Sequence, residues 1–562
     1  MHVFDYADVA DLVDSFCSQI PPLLTEHSVT ADLLPRVVGL GEQCQNPFTV
    51  AVVGQMRVGK SSLINAILEK DLAETGVTET TATINWIRYG SNSDQVKVHW
   101  KDAPAEMISR DHLKQWTGEA ANAAKTRFIE LFDDADFLKV ASIVDTPGLR
   151  SVIGDHTDAT ESFLGLKCDI ESRAIGCKAD AIVYVLMPVA RESDDSFLAN
   201  FLNQTQLPGT ASFNSLVVLH KWETLESDDP VLDSQSKADR IAAELGASVS
   251  TVIPVSAPMA WAAKHLADDL WGAIHRIALM DQEGLSKLIR GERRFAREAP
   301  DCPVAMATRQ ELLDSGLPWP SLRTILSIAS KARCESKDEL RRHIAEVGKV
   351  GHLRGELDRR FFSRSRSLKL LSTVAKAWEP CQIAQLRLRN RRTEVGELLA
   401  SSKEMLSLLQ ERIKLGDDDL KAVEHYVEKT QEALHREHVS LSGVLKSLSF
   451  QTSQLKNVYD DFVADLNGLE LIATPKADAL AANEKLELQA LFGSKGTAAS
   501  CRLSPFLADG KAPIDCIEIA IGKFSSMHAR AKNELKQVLE HGVSRLEQLA
   551  DHIESELQAL NK

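Results

Sequence analysis

The sequence predicts an α/β domain with a parallel-rich sheet and helices on both faces, followed by a long all-α region. Between residues 48 and 260, apolar runs rich in β-branched residues alternate with helical stretches, a pattern typical of parallel sheets. After about residue 260 the strand-like runs stop, and helical periodicity dominates to the end of the chain. The composition agrees with a folded protein, because 44% of the 562 residues are hydrophobic and 26% are charged.

The charge and the cysteine pattern exclude several classes of protein. A formal net charge of -15 argues against a chain-wide basic surface, so we expect no nucleic-acid partner. The nine cysteines are scattered without a metal-binding spacing, which predicts free thiols in a reducing compartment. The sequence shows neither a signal-peptide pattern nor a run of about 18 apolar residues. We therefore expect a cytoplasmic protein, or one that is peripheral to a membrane.

Three regions are expected along the chain. Residues 1–47 form amphipathic helices, residues 48–332 form the α/β domain, and residues 333–562 form long helices with a kink or break at 379–380. Residues 467–514, rich in glycine and proline, interrupt these helices before a last one that runs to the end. Helices of about 45–65 residues would be roughly 65–100 Å long, which predicts a stalk. The strands are expected at residues 48–54, 83–89, 95–100, 138–144, 181–187, 215–219 and 251–255.

A phosphate-binding loop is the strongest motif in the sequence. GQMRVGKS, residues 54–61, fits G-x-x-x-x-G-K-[ST], follows a predicted strand and opens a predicted helix. Gly54 and Gly59 allow the backbone to curve so that amide N–H groups face phosphate oxygens. Lys60 would contact the β- and γ-phosphates, and the Ser61 hydroxyl would bind Mg²⁺. The nucleotide-binding residues predicted in this loop are Gly54, Gln55, Met56, Arg57, Val58, Gly59, Lys60, Ser61 and Ser62.

A second motif, VDTPGLR at residues 144–150, follows an apolar run that predicts a strand. Asp145 at the strand end would hold Mg²⁺ through water, and the Gly148 amide would contact the γ-phosphate. The tetrapeptide DTPG alone is a weak signal. Together with the phosphate-binding loop, it indicates a GTPase-type switch rather than a kinase.

The segment TGVTETTATI, residues 75–84, is a candidate switch loop. Such a loop needs a hydroxyl that coordinates Mg²⁺ only while the γ-phosphate is present, and we favour Thr81 for this role. Thr80 is the second candidate, and Thr78 and Thr83 also compete. The predicted metal-binding residues are Ser61, Thr81 and Asp145.

The base-binding elements match a guanine site less closely. LHKWE, residues 219–223, ends a strand where guanine-nucleotide binders usually have [NT]KxD. Lys221 would pack its stem over the base, and Glu223 would replace the Asp that accepts hydrogen bonds from guanine N1 and N2. His220 stands in place of Asn or Thr. Ser256 and Ala257 follow the last strand, as the loop that contacts guanine O6 does, so GTP is favoured over ATP.

Three segments, GQMRVGKSSLINAIL, GVTETTATINWIRYG and VDTPGL, resemble bacterial dynamin-like large GTPases of the dynamin- and mitofusin-related group. The resemblance is specific over residues 48–260. It implies an α/β P-loop GTPase head that uses GTP/GDP and Mg²⁺, and a long all-α helical stalk of neck and trunk that residues 1–47 join. It also implies self-association through the heads and peripheral binding to membrane lipids, with residues 467–514 as the candidate tip or paddle. A second dynamin-like protein is a candidate partner.

The sequence departs from the dynamin pattern at the positions that orient water. Met56 stands where dynamins have Gln, and Leu149 rather than Gln follows the DTPG turn. We therefore expect slow basal GTP hydrolysis coupled to membrane association or remodelling. Arg57 matches a P-loop arginine that acts as an internal arginine finger in guanylate-binding proteins, so the candidate catalytic residues are Lys60, Arg57 and Thr81. The alternative function is a nucleotide-dependent scaffold that hydrolyses little and docks a protein partner.

Two features of the helical region leave alternatives open. Residues 341–392 contain 14 Lys or Arg and four Asp or Glu, a local net charge of +10. This basic segment would form a solvated face that pairs with acidic residues, or bind anionic lipid, or contact an acidic partner. The apolar runs LELIA at 469–473 and LQALFG at 488–493 would contact a membrane or pack on the stalk as an ordinary connector.

Overall fold

The chain forms two compact units in the computed structural model. Pro47–Ser365 form the sheet unit, and Met1–Asn46 together with Arg366–Lys562 form the helical unit. The chain therefore enters and leaves the sheet unit from the helical unit. The structure describes residues 9–38, 40, 46–55, 57–70, 72, 84–91, 93–110, 125–146, 179–188, 211–225, 227, 229–245, 251–494, 499–507 and 511–560.

One sheet forms the centre of the sheet unit. Within the described residues it has the order β4-β3-β5-β2-β6-β1-β7-β8-β9. β1 pairs in parallel with β6 and β7, and β7, β8 and β9 continue the parallel half, whereas β3 pairs antiparallel with β4 and β5. The strands are β1 Phe48–Gly54, β2 Asn85–Tyr89, β3 Gln95–Trp100, β4 Glu106–Ser109, β5 Thr126–Asp133, β6 Ala141–Asp145, β7 Ala181–Leu186, β8 Ser215–His220 and β9 Val252–Val255.

The parallel-rich sheet confirms the predicted fold class. Every residue of β1, β6, β7, β8 and β9 is buried, which explains why these strands are continuous apolar runs in the sequence. The predicted strand at 138–144 begins later, because Asp136–Lys139 form a 3₁₀ turn. Sequence analysis missed β4 and β5. β5 contains Glu130 and Asp133, which are buried, and Glu130 forms an ion pair with Arg88.

Helices cover the sheet and extend the unit beyond the expected end at residue 332. The apolar faces of the two helices that follow residue 332 are buried, with Leu340 and Ile344 in the same cluster as Trp271. The unit therefore ends at Ser365. Its helices are α3 Lys60–Leu68, α4 Ala211–Asn214, α5 Pro230–Leu245, α6 Ala257–His265, α7 Asp268–Ala278, α8 Gln282–Leu288, α9 Glu292–Phe295, α10 Met306–Asp314, α11 Trp319–Ala332, α12 Lys337–Val347 and α13 Val350–Leu357.

Two long helices, α14 Ser365–Lys414 and α15 Lys421–Ile472, dominate the helical unit. α14 and α15 are antiparallel, since Gln385 Nε2 donates to Thr452 Oγ1 at 2.8 Å and Arg391 Nε donates to Glu437 Oε1 at 2.9 Å. At 50 and 52 residues, each is about 75 Å long. The helices of this unit are α1 Val9–Thr25, α2 Leu34–Val37, α14 Ser365–Lys414, α15 Lys421–Ile472, α16 Ala482–Leu491, α17 Ala499–Leu503, α18 Pro513–Arg530 and α19 Asn533–Leu560.

Two expectations about helix ends differ from the structure. α14 has no break at Pro380, which lies inside the helix. The last predicted helix is two helices, α18 and α19, because Ala531 adopts an extended conformation with φ -75° and ψ 157°. The break allows α18 and α19 to pack against each other and bury Phe524 and Leu539 in one core.

The segment 467–514 does not expose its apolar runs. Leu469, Leu488, Leu491 and Phe492 all lie in one buried cluster with residues of α18 and α19. This burial favours the interpretation of these runs as a connector that packs on the stalk, and the membrane-contacting tip stays a prediction. A buried carboxylate closes the same core, since Asp465 accepts hydrogen bonds from Arg502, His541 and Arg545 at 2.8–2.9 Å.

Part of the basic segment pairs with acidic residues elsewhere in the chain. Arg354 pairs with Glu69 in the sheet unit. In the helical unit, Arg387 pairs with Asp32 at 2.6 Å and Arg391 pairs with Glu437 at 2.9 Å. These ion pairs favour the solvated, paired interpretation of the segment over the lipid-binding one. Among the described residues, no helix is long and apolar enough to cross a membrane.

The burial of the connector generates a test of stability. Leu491→Asp should destabilise the protein by roughly 3 kcal/mol or more, because its side chain is 0% exposed and a carboxylate there would lose its hydration. Leu486→Asp in the same helix is the control, since Leu486 is 57% exposed and the change should cost about 0.5 kcal/mol or less. Urea unfolding monitored by circular dichroism measures both. Equal unfolding midpoints for the two variants would contradict the buried packing.

Candidate nucleotide site

The two glycines of the phosphate-binding loop are sterically required. The loop joins the end of β1 to the start of α3. A Cβ on Gly54 would lie 2.5 Å from the carbonyl oxygen of Val185 in the neighbouring strand. Gly59 has a φ of +95°, and a Cβ there would lie 2.6 Å from Cε1 of His220. Glycine is therefore required at position 54 by the close backbone of the neighbouring strand. At position 59 it is required by the positive φ and by the His220 ring.

Lys60 begins α3 and is buried against the loop. Its Nζ donates to the carbonyl oxygens of Gly54 and Gln55, both at 3.3 Å. Burial lowers the pKa of Lys60, and the charge of Asp145 opposes this. These two contacts are long and involve neutral acceptors. An anionic phosphate oxygen would be a stronger partner, because charge-assisted hydrogen bonds are shorter and stronger.

The structure brings together two predicted metal-binding residues. Ser61 Oγ donates to Asp145 Oδ2 at 2.7 Å. The parallel pairing of β1 with β6 creates this contact, since it places Val52 opposite Asp145. Asp145 is fully buried, and its Oδ1 has no hydrogen-bond partner among the described residues. Burial raises the pKa of Asp145, while Lys60 and Ser61 oppose the rise. A hydroxyl beside an incompletely satisfied carboxylate fits Mg²⁺, which prefers such oxygen ligands.

Thr146 is a positioning residue that sequence analysis missed. Its hydroxyl donates to the carbonyl oxygen of Val52 at 2.9 Å, and the side chain is fully buried. This bond ties the first residue after β6 to β1. The threonine of the DTPG tetrapeptide was the available signal. The predicted residues Met56, Thr78, Thr80, Thr81, Thr83, Gly148 and Leu149 lie outside the described part of the chain.

The base-side segment lies directly against the phosphate-binding loop. Lys221 has a φ of 57°, and its Nζ donates to the carbonyl oxygen of Arg57 at 2.8 Å. His220 Nδ1 lies 2.7 Å from the carbonyl oxygen of Val58. The side chain of Arg57 is exposed, so its proposed role as an arginine finger stays a prediction. The end of β8 therefore contacts the phosphate-binding loop through these two side chains.

Glu223 is more enclosed than a solvent-facing base contact would be. Ser321 Oγ donates to its Oε1 at 3.1 Å, and Thr324 Oγ1 donates to its backbone carbonyl at 3.1 Å. Its Oε2 is buried and has no hydrogen-bond partner among the described residues. Burial raises the pKa of Glu223, and hydrogen bonds from Ser256 and Ser321 oppose this. The structure therefore places Glu223 inside the fold with one acceptor oxygen unpaired, and its contact with a base stays a prediction.

Ser256 and Ala257 begin α6 after β9. Ser256 caps this helix by accepting a hydrogen bond from the Met259 amide at 3.4 Å, and its own amide donates to the carbonyl oxygen of Gly348 at 3.0 Å. The amide of Ala257 donates to His220 Nε2 at 3.4 Å. The sequence predicted that both residues contact the guanine base, and it did not reveal these structural roles.

The fold and the site together identify the class of domain. A parallel sheet with a G-x-x-x-x-G-K-S loop between β1 and α3, and an aspartate from β6 on the loop serine, is a P-loop domain of the GTPase type. Residues 50–222 match the model of the dynamin family. The match over residues 50–222 confirms the predicted resemblance of this domain to the dynamin family.

Several bacterial proteins are similar to this chain. Isoniazid-induced protein IniC of Mycobacterium tuberculosis is 25% identical over 288 residues, which are 50% of this chain and 57% of that protein. An uncharacterised protein of Caldicellulosiruptor is 31% identical over 206 residues, 35% of this chain and 48% of that protein. The chain thus spans about half the length of these relatives. Dynamin-like protein 2 of Campylobacter jejuni is 29% identical over 102 residues, 18% of this chain and 17% of that protein.

A solved structure of an oligomerised bacterial dynamin pair, described as a mechanism for long-range sensing and tethering of membranes, also aligns with the chain. The alignment covers 98% of this chain and 92% of that one, with 15% identity and a TM-score of 0.33.

The first test of the site is Lys60→Ala. Affinity for Mg–GDP should fall on the order of 10- to 100-fold, because a hydrogen-bonded charge on the phosphates contributes roughly 1.5–3 kcal/mol. Isothermal titration calorimetry measures the affinity. Lys139→Ala is the control, since Lys139 is an exposed lysine of the same unit that pairs with neighbouring Asp136. Unchanged affinity in the Lys60 variant would refute the site.

The second test concerns the base and its pH dependence. Glu223→Gln should reduce the preference for GTP over ATP, because it removes the ionised acceptor while keeping the side-chain shape. The pKa of Glu223 is raised above its ordinary value of 4.5, so the preference should weaken as pH falls through that raised pKa. Competition binding between pH 5 and 8 measures it. Glu283→Gln, at an exposed glutamate, should leave the preference intact. Equal ATP and GTP binding by the unmodified protein would contradict base reading by Glu223.

Proposed function

We propose that this chain binds GTP with Mg²⁺ and hydrolyses it slowly. The observation on which the proposal depends is the 2.7 Å hydrogen bond between Ser61 and Asp145, formed beside the buried ammonium of Lys60. This contact supports the proposal, because a cation bound to the Ser61 hydroxyl would lie close enough to Asp145 to reach its carboxylate through a water. The dynamin-family match over residues 50–222 supports the same chemistry.

The roles of the residues follow from their positions. The loop amides and Lys60 would hold the β- and γ-phosphates, and Ser61 and Asp145 would hold Mg²⁺, the latter through water. When bound, Mg²⁺ neutralises charge on the phosphates. Thr81 and Arg57 are the candidates to complete the site. Since Met56 replaces the water-orienting glutamine of dynamins, turnover by the isolated protein should be slow.

Phosphate release under single- and multiple-turnover conditions tests this function. The expected result is GTP binding followed by slow release, with Asp145→Asn losing the Mg²⁺ dependence of binding. Head-to-head self-association should appear as a nucleotide-dependent dimer in sedimentation velocity. Rapid turnover at low concentration without lipid or partner would contradict the proposal of slow basal hydrolysis, and absence of GTP binding would contradict the proposed function.

We further propose that the helical unit contacts membranes through the turn between α14 and α15, which we call the hairpin tip, residues 398–426. No residue between 400 and 426 is buried in the fold. Leu415 is 83% exposed and Tyr426 is 72% exposed. Large exposed apolar side chains that are close together mark interaction surfaces. The exposed apolar residues of the hairpin tip are Leu398, Met405, Leu408, Leu415, Val423 and Tyr426.

The charge at the hairpin tip does not favour anionic lipid. Asp417 pairs with Arg412 and Asp418 pairs with Lys421, so these basic side chains are neutralised within the tip, and Asp419 adds a negative charge. Association through Leu415 and its neighbours would instead depend on apolar insertion. Such binding is not weakened by salt, because screening acts on charges and not on apolar burial.

Co-sedimentation with phosphatidylcholine vesicles tests the hairpin tip. Leu415→Asp together with Tyr426→Asp should abolish binding, whereas Leu279→Asp, at a 66% exposed leucine of the sheet unit, should leave it unchanged. Binding should survive high salt. If the unmodified protein binds no vesicle with any nucleotide, the alternative function applies, a nucleotide-dependent scaffold that uses the same exposed leucines to dock a protein partner.

A further inference from the structure

His220 occupies an unusual position between two loops of the nucleotide site. It ends β8, and its side chain is completely buried. Nδ1 lies 2.7 Å from the carbonyl oxygen of Val58 in the phosphate-binding loop. On its other side, Nε2 lies 3.4 Å from the amide nitrogen of Ala257, the first residue of α6. The ring therefore bridges the phosphate-binding loop and the loop expected at the base.

The two partners determine the tautomer of the ring. A carbonyl oxygen can only accept a hydrogen bond, so Nδ1 must carry the hydrogen that faces Val58. A backbone amide can only donate, so Nε2 must present its lone pair to Ala257. Only the neutral ring protonated at Nδ1 satisfies both. Burial and the neighbouring Lys221 lower the pKa of His220 to about 4, which keeps the ring neutral at physiological pH.

The shape of the ring also matches its space. A Cβ added to Gly59 would lie 2.6 Å from Cε1 and 2.7 Å from Nδ1 of His220, so the ring fills the gap behind the loop. Lys221, the next residue, adds a second link through its 2.8 Å bond to the Arg57 carbonyl. Two consecutive residues of one strand end therefore hold two consecutive carbonyls of the phosphate-binding loop.

We propose that His220 is a positioning residue that couples the phosphate-binding loop to the base-side loop and so sets the affinity for ligands that span both. The inference rests on the proposed function. A nucleotide with its phosphates on residues 54–61 and its base near Glu223 and Ala257 must contact both loops at once. The bridge fixes their separation before binding, which reduces the ordering that binding would otherwise require.

A bridge and a core-filling side chain respond differently to substitution. His220→Phe keeps an aromatic ring in the space but removes both hydrogen bonds. His220→Asn leaves a smaller side chain that still offers an N–H donor and an oxygen acceptor. If His220 only fills the core, the Phe variant should resemble the unmodified protein more than the Asn variant does. If it bridges the loops, the Asn variant should resemble the unmodified protein more than the Phe variant does.

Calorimetry with Mg–GDP and with Mg–pyrophosphate measures the coupling, because pyrophosphate contacts only the phosphate-binding loop. We expect His220→Phe to weaken GDP binding about tenfold and pyrophosphate binding by less than about threefold. We expect His220→Asn to retain GDP affinity within about threefold. Thermal unfolding of each variant reports on stability separately.

Nitrogen-15 NMR of the histidine rings in the unmodified protein adds a readout that needs no variant. The expected signature for His220 is a protonated Nδ1 and an unprotonated Nε2. The opposite tautomer, or a Phe variant that binds GDP as tightly as the unmodified protein, would overturn the inference. If the unmodified protein fails to bind GDP at all, the proposed function fails instead. If the Phe variant does not fold, the tautomer and the Asn variant still decide the question.

Discussion

Parallel pairing of β1 with β6 and β7 is the constraint on which the nucleotide site depends. The register with β6 places Val52 opposite Asp145, and the register with β7 places Gly54 opposite Val185. The carboxyl ends of these strands therefore meet at one edge of the sheet, where α3 also begins. A shift of one residue would reverse the faces of the side chains and separate Ser61 from Asp145.

The site concentrates charges that are costly to bury. The Lys60 ammonium and the carboxylates of Asp145 and Glu223 are all removed from water. Burial lowers the pKa of Lys60 and raises the pKa of both carboxyl groups, which favours the neutral form of each. The fold offsets part of this cost with the Ser61 and Ser321 hydroxyls. A bound phosphate and a divalent cation would supply the missing opposite charges, so the same burial that destabilises the free site favours the ligand.

The helical unit shows how packing assigns different roles to similar residues. Leu491 and Leu415 both lie near a break between helices, yet the first is 0% exposed and the second is 83% exposed. α18 and α19 cover the break near Leu491, and the carboxylate of Asp465 in α15 ties α17 and α19 to that helix. Among the described residues, nothing covers the hairpin tip at Leu415 apart from the two helices themselves, so their apolar side chains stay exposed.

The sequence by itself determined the features that depend on local geometry. The phosphate-binding loop, the DTPG turn and the buried parallel strands each need particular residues at neighbouring positions, so their spacing is visible in the chain. Only the tertiary structure decided which surfaces meet. β5 escaped detection because its buried Glu130 pairs with Arg88 across the sheet. The role of His220 depends on Val58 and Ala257, which are distant in the chain. Amphipathic periodicity shows that a helix has an apolar face, as in α12, but what covers that face is a property of the whole fold.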